Sequence, residues 1–511
     1  MKSWWLGTPA SCTGAVLLVL SGLLASSMPV AAREPTARAA AGGLAASASS
    51  AARGAPTRLH SRGSPTWVYS VPRKGKQAIG YVRVGQSVAL RDPAPRRGSG
   101  CGKGFVAIEP YGYVCLDRTA TVEPKQRYVR AMQLLQPRQR PLPFDYALSN
   151  GAPMYRRLPS PEEWKQAERF FGPAGSFKPL SWGNRGHERL AEVRSISATD
   201  SVPFFLKDGG SVSTSKPLGL VRRLIPLGSM LSYTHTIEHA GRTFLVSADG
   251  TVVPADRVRP YRESTFRGVE LGREAELPLA WIRFQSSPKY RRNADGSLTA
   301  TALSWGVRDW IELEPDREPA THEGRTFFAT RDRDRAELLW IAESDATVVR
   351  KRDKLPWGIS EDDKWLIVSI TRGTLVAYEG SRAIFTTLVS PGAGGVPVPG
   401  TDPVKMSTTP LGIYRITFKH VATTMSPEQG ENRSFWIADV PYAQYFNGPF
   451  ALHVAYWHED FGRPMSAGCI NISPRDGQRL FGWTEPVVPR DWAGAGQSAL
   501  TGKGTFVVVT R

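Results

Sequence analysis

Two things are missing from this sequence and one is scarce. No run of Lys and Arg is interleaved with stacking aromatics, which argues against nucleic acid as the partner. Beyond residue 32 no segment is long and apolar enough to span a bilayer. Cysteine is scarce, with four in 511 residues: Cys12, Cys101, Cys115 and Cys469. Acidic charge is in deficit too, 46 Asp+Glu against 65 Lys+Arg, for a formal net charge of +19. Such an excess favours anionic partners and suits peripheral contact with a membrane surface or an acidic wall polymer. The length suits about three or four domains at roughly 100–200 residues each.

The start of the chain sets the expected compartment. Lys2 supplies a positive charge, "GAVLLVLSGLLASSMPVAA" follows, and Val30 and Ala32 fall at the −3 and −1 positions of a cleavage site. Residues 1–32 therefore read as a signal peptide, and the chain as exported to the periplasm or cell envelope. The other reading is a retained anchor, since about 18 apolar residues just span a bilayer. Cys12 lies before the apolar stretch, a poor place for lipid attachment. Export makes a disulfide between Cys101 and Cys115 the expected state, because they flank "GKGFVAIEPYGYV", a short hairpin turning at Pro110–Gly112. Cys469 is then left over: either a reactive thiol or a small buried apolar residue.

Residues 33–64, rich in Ala, Ser, Gly and Arg, read as a disordered linker that cannot bury a core. From 65 to 124, "AIGYVRVGQSVAL" and "GFVAIEPYGYVCL" alternate as strands between turn signals. These short strands resemble a bacterial SH3-like barrel, which implies a targeting or spacing role. Residues 125–360 form a β-rich middle region. Its clearest helix is "SPEEWKQAERFFG" (160–172), with Ser160 as N-cap and acidic residues in the first turn. "EHAGRTFLVSADGTVV" and "THEGRTFFATRDRD" share His-x-Gly-Arg-Thr-Phe. That echo reads as a repeated β-hairpin module suited to a spacer or docking stalk, in preference to a catalytic role for His239 and His322. From 361 to 511 the chain is again mostly β. A last helix is capped by Ser473, with Pro474 in its first position and Asp476 in its first turn, and "GTFVVVTR" forms a closing strand. The fold class is mainly β and multidomain.

"MSAGCINIS" (465–473) carries the chemistry. A cysteine nucleophile needs a base, oxyanion donors and close backbone approach to a carbonyl. His453 precedes Cys469 on a strand-like segment, Gly468 permits a tight turn, and the helix after Ser473 brings its positive end near. His453, Gly462, Ser466, Gly468, Cys469, Ile470 and Asn471 follow the order of the L,D-transpeptidase (YkuD) signature: His, then Gly, then Ser-x-Gly-Cys, an apolar residue and Arg or Asn. "TPLGIYRI" is similar to the family's Thr-Pro-x-Gly strand, and "AYWHEDFGRP" to an insert in many periplasmic members. Ala467 departs from the pattern, since many members carry a second histidine there.

The resemblance implies a C-terminal β-sandwich with short helices over 361–511. Within it, Cys469 would be the nucleophile, His453 the base and proton carrier, and backbone N–H groups at Gly468 the oxyanion donors. Ser466 and Asn471 would steady the loop, and Tyr456, Trp457 and His458 would line the substrate groove, core packing being the other reading for these three. It implies no cofactor. His453, His458, Glu459 and Asp460 cluster in the sequence, but no second Cys or His ligand pattern joins them into a metal site. The implied substrates are peptidoglycan stem peptides: Cys469 attacks the carbonyl of the third stem residue and expels D-alanine. An amine of another stem then gives a 3→3 cross-link, an outer-membrane protein or lipoprotein becomes wall-attached, or water makes the reaction a carboxypeptidase. From another class, the chain could be a wall-binding scaffold with an inactive transpeptidase-like domain. Sortases are excluded by the missing Thr-Leu-x-Thr-Cys stretch, and papain-like peptidases by the His-before-Cys order.

Overall fold

The computed structural model describes residues 57–63, 65–75, 78–180, 186–212, 219–425 and 437–511. The expected signal peptide, and the expected linker up to residue 56, lie outside the described residues. Among the described residues no helix is long and apolar enough to cross a membrane.

The C-terminal region is two facing sheets. One runs in the order Val269–Glu270, Arg382–Leu388, Thr374–Glu379, Lys364–Ser369, Phe506–Thr510, Gly412–Arg415. The other joins Gly494–Gly496, Phe418–Met425, Ile437–Asn447, Phe450–Val454 and Ile470–Ile472, the last pair parallel. Leu366, Val368, Leu375, Val507 and Val509 of the first face Val440, Phe446, Leu452, Val454, Ile470 and Ile472 of the second. Alternation places these side chains: in "FKHVATTM", Lys419 points inward while Phe418 and His420 stay partly exposed on the outer face. Helix Pro474–Trp483 lies against this core through Leu480 and Phe481. Its expected cap is present, with Ser473 Oγ accepting the Asp476 N–H at 3.3 Å. At its other end Lys419 Nζ donates to the carbonyls of Phe481 and Thr484, at 2.6 and 2.7 Å. These are terminal carbonyls that a helix leaves unpaired.

The N-terminal unit, expected to be an SH3-like barrel, shows no closed barrel among the described residues. Its pairings run Ala120–Thr121, Arg58–Ser61, Ser87–Arg96, Phe105–Ile108, Tyr113–Cys115, Thr66–Tyr69, Ala78–Val82. The two ends do not pair. The outer edge of Ala78–Val82 instead pairs with Gly494–Gly496 of the C-terminal region, and so the sheet continues where a barrel would close. The linker expectation also ends too late: Arg58–Ser61 is a strand because Leu59, fully buried, fills the unit's core beside Val68 and Val106. Cys101 and Cys115 form a disulfide.

In the middle region, helix Pro161–Glu168 has a reciprocal capping box between Ser160 and Glu163 and stops four residues before the end expected at Gly172. Glu168 turns inward onto Arg242 and Arg257. The echoed motifs are matching hairpins. His239 pairs with Arg242 across Ala240–Gly241, and His322 with Arg325 across Glu323–Gly324; all four turn residues have positive φ, as two-residue type I′ turns require. Phe244 and Phe327 are buried, and each module continues into a 3₁₀ turn and a short strand.

Candidate active site

The strand of His453 and the strand that begins just after Cys469 lie side by side, with Leu452 opposite Ile470 and His453 opposite Asn471. Extending this register puts Cys469 opposite Ala451, so Cys469 and His453 are diagonal neighbours on one sheet face. A diagonal pair of this kind is within reach of long side chains.

The turn into Cys469 is built on glycine and a hydroxyl pair. Gly468 has φ +124°, and a Cβ there would stand 2.6 Å from Phe450 Cε1. Ser466 Oγ accepts the Gly468 N–H at 3.0 Å and donates to the Cys469 carbonyl. The Gly468 N–H expected to serve an oxyanion is therefore committed within its own turn, and this residue shapes the loop. Thr409 holds the turn from the other side, its hydroxyl donating to the Gly468 carbonyl at 2.8 Å and accepting the Gly392 N–H at 2.9 Å. The Thr-Pro-x-Gly segment carried this signal, though the sequence alone did not disclose the contact.

Cys469 is partly exposed and is the free cysteine among the described residues. Its Sγ faces the Pro449 carbonyl at 3.7 Å. Burial pushes the thiol up to about 11, against a smaller lowering from the Ala451 N–H, so at neutral pH it is protonated.

His453 is buried, and its hydrogen bonds form a chain whose polarity is fixed by backbone groups at both ends. The Asp460 N–H donates to His458 Nδ1 at 3.1 Å, which leaves the proton of that ring on Nε2. His458 Nε2 donates to Asn471 Oδ1 at 3.2 Å, so the Asn471 amide NH₂ faces His453 Nε2 at 3.1 Å. His453 Nε2 accepts, and its Nδ1–H donates to the Val454 carbonyl at 3.1 Å. Both rings are neutral; burial lowers His453 to about 4 and lowers His458 as well. Among the described residues, no hydrogen bond joins His453 to Cys469 directly.

The expected groove residues are inside. Tyr456, Trp457 and His458 are 0, 6 and 1 % exposed. Tyr456 stacks on Tyr146 at 3.8 Å and meets Tyr261 edge-on, while its hydroxyl donates to the Ala438 carbonyl at 3.1 Å. The core-packing reading describes them, because the middle region covers this loop. In the acidic and histidine cluster, His458 uses both nitrogens, Glu459 pairs with Arg262, and Asp460 pairs with Arg189 through Oδ1 while its buried Oδ2 has no partner among the described residues.

Residues 455–464 are thus gripped from the middle region. Besides those two ion pairs, Arg308 donates to the Glu459 carbonyl at 2.6 Å, and Arg283 to the Gly462 carbonyl at 2.8 Å. Arg283 is buried and pairs with no carboxylate among the described residues; burial lowers it to about 10, with Arg463 adding repulsion. The middle region is not a stalk held away from the site. It forms the outer wall of the site's loop, an arrangement for which the sequence carried no motif.

Residues 363–509 match the family model of the L,D-transpeptidase catalytic domain, YkuD. No curated protein matches the chain in sequence. Among solved structures, an L,D-transpeptidase from Xylanimonas cellulosilytica is similar at 20 % identity and TM-score 0.21, covering 31 % of this chain and 65 % of its own. The catalytic domain of an E. faecium L,D-transpeptidase is similar at 20 % identity and TM-score 0.20, covering 29 % of this chain and 98 % of its own. An L,D-transpeptidase from Mycobacterium smegmatis is similar at 13 % identity and TM-score 0.21, covering 39 % and 99 %. Residues 363–509, which contain His453, the Gly468 turn and Cys469, are an L,D-transpeptidase catalytic domain of the YkuD family.

Proposed function

We propose that this protein is an exported peptidoglycan L,D-transpeptidase acting through an acyl-enzyme on Cys469. The observation that carries the reading is the register of the parallel strand pair, which sets His453 and Cys469 diagonally on one face of a domain matched to this family. Cys469 Sγ bonds to the carbonyl carbon of the third stem residue as the C–N bond to D-alanine breaks. The thiol proton passes to His453 Nε2 and from there to the departing D-alanine amine. An acceptor amine then displaces sulfur and returns the proton. Because the thiol is protonated at rest, proton loss accompanies attack, and the imidazole must exchange Asn471 for Cys469 at Nε2 during the reaction. The acceptor is an amine of a second stem or of an envelope protein, and the compartment is the periplasm.

A second reading, a wall-binding scaffold, is favoured by one observation, the engagement of His453 Nε2 by Asn471. Mass spectrometry of disaccharide-tetrapeptide incubated with the protein, beside Cys469→Ala, separates them. Cross-linked dimers with released D-alanine, absent from the variant, are expected. Released D-alanine without dimers points to a carboxypeptidase or to an envelope-protein acceptor absent from the mixture. No turnover together with no acylation by a carbapenem refutes the enzyme reading.

A further inference from the structure

An aromatic strip crosses the outer face of the continuous sheet and ends beside Cys469. Its outermost ring is Trp67, 41 % exposed, on strand Thr66–Tyr69. Trp67 meets Tyr81 edge-on at 5.9 Å, and Tyr81 stacks along Phe418 at 6.3 Å with 19° between ring planes. Tyr81 Oη also hydrogen-bonds His420 Nδ1 at 3.0 Å, and His420 meets Tyr445 at 5.7 Å. Tyr445 lies opposite Ala451, the residue whose N–H faces the Cys469 thiol. Tyr81, Phe418, His420 and Tyr445 each keep part of their surface exposed.

The strip is continuous because the strand beneath its centre has no side chains on this face. Gly494 lies opposite both Tyr81 and His420, and Gly496 opposite Phe418. A Cβ at Gly494 would stand 2.5 Å from Tyr81 Cε1 and 3.1 Å from Phe418 Cε1. These glycines let rings from two regions of the chain meet across the gap.

We infer that this strip is a binding track for the glycan backbone of peptidoglycan, holding the sugars to which the stem peptides are attached. The inference rests on the transpeptidase reading, since that reading places stem peptides at Cys469. Sugar rings present flat C–H faces that pack on aromatic faces, while their hydroxyl and amide groups remain in water. A shallow row of partly exposed rings suits that partner better than a peptide, which needs pockets or a free strand edge. The lengths agree. Strands lie about 4.8 Å apart, so Phe418 is three strands, ~14 Å, and Trp67 six strands, ~29 Å, from Cys469. Three extended stem residues span up to about 11 Å, and the lactyl link to the sugar adds to that reach. A stem whose third carbonyl sits at Cys469 therefore brings its sugar over Tyr445 and Phe418, and the neighbouring sugars continue toward Trp67.

The test is calorimetric titration of the full chain carrying Cys469→Ala with glycan oligosaccharides stripped of stems by an amidase. Binding is expected, with cellohexaose weaker. Trp67→Ala, a change at an exposed ring, should weaken binding roughly twofold to tenfold, the worth of one aromatic contact. Phe418→Leu should weaken it at least as much, with melting curves recorded for both variants. No binding, equal binding by cellohexaose, or parent-like affinity in both variants would overturn the inference. Carbapenem acylation of the unmodified protein is measured alongside. Acylation without glycan binding overturns the track and leaves the enzyme reading standing. Glycan binding without acylation overturns the enzyme reading and leaves a wall-binding surface.

Discussion

Changing Asn471 to Asp replaces one NH₂ by an oxygen at the centre of the buried hydrogen-bond chain. In the parent, the Asn471 amide NH₂ donates to His453 Nε2 at 3.1 Å, and burial holds that ring neutral with a pKa of about 4. A carboxylate has no proton to offer. His453 Nδ1–H is already given to Val454, so the ring faces the new group favourably only by protonating Nε2. An opposite charge this close raises a histidine pKa by roughly 1–3. The variant should therefore titrate at about 5–7. Each pH unit corresponds to about 1.4 kcal/mol favouring the charged ring. Nitrogen NMR of the histidine rings reads this directly. At pH 5.5 the parent His453 should show an unprotonated Nε2 and a protonated Nδ1, while Asn471→Asp should show an imidazolium or a strongly shifted equilibrium. An unprotonated Nε2 in the variant down to pH 4, or a parent ring titrating above pH 6, would refute the assigned polarity of the chain.

Two further outcomes follow from the same site. Gly468→Ala should cost about 2 kcal/mol or more, because φ is +124° and the new Cβ meets Phe450 at 2.6 Å; urea denaturation with an unchanged midpoint would contradict the turn geometry. Acid should destabilise the protein between pH 6.5 and 4. His453, His187 and His420 are lowered by burial from 6.5 to about 4, so each contributes roughly 3 kcal/mol that is present above pH 6.5 and lost as pH falls through this window. Buried Asp476, pushed up to about 6, works the other way and offsets about one of them. A net loss of about 6 kcal/mol in chemical denaturation from pH 7 to pH 4 is expected, and a flat profile would count against it.

What the sequence made legible was local. Ser160 and Ser473 mark helix starts because caps act within three residues, and both caps are present. The paired His-x-Gly-Arg-Thr-Phe motifs forecast hairpins because a two-residue turn needs positive φ at specific positions. His453, Gly468, Cys469 and Asn471 could be singled out because the strand of His453 and the turn leading into the neighbouring strand Ile470–Ile472 lie close in the chain. The remainder depends on contacts between residues far apart. Nothing in "YWH" distinguishes a groove lining from a buried wall; Tyr146 and Tyr261 decide that, from more than 190 residues upstream. The arginines on residues 455–464 come from four separate middle segments and share no motif. The cover over the edge of Ala78–Val82 was hidden for a similar reason, since the strand that takes it, Gly494–Gly496, lies near the other end of the chain.

The Gly494–Gly496 strand also bears on how this protein can be divided. It hydrogen-bonds Phe418–Met425 on one side and Ala78–Val82 on the other. Removing the first hundred or so residues would leave its outer N–H and C=O groups bare, next to the half-exposed rings of Phe418 and His420. An uncovered edge beside apolar surface is a template for joining another chain. A truncated catalytic region would accordingly be more prone to self-association than the full chain, even with every residue of the His–Asn–Cys face intact. The N-terminal unit thus acts as the built-in cover of that edge, which ties the solubility of the transferase region to a segment remote from its chemistry.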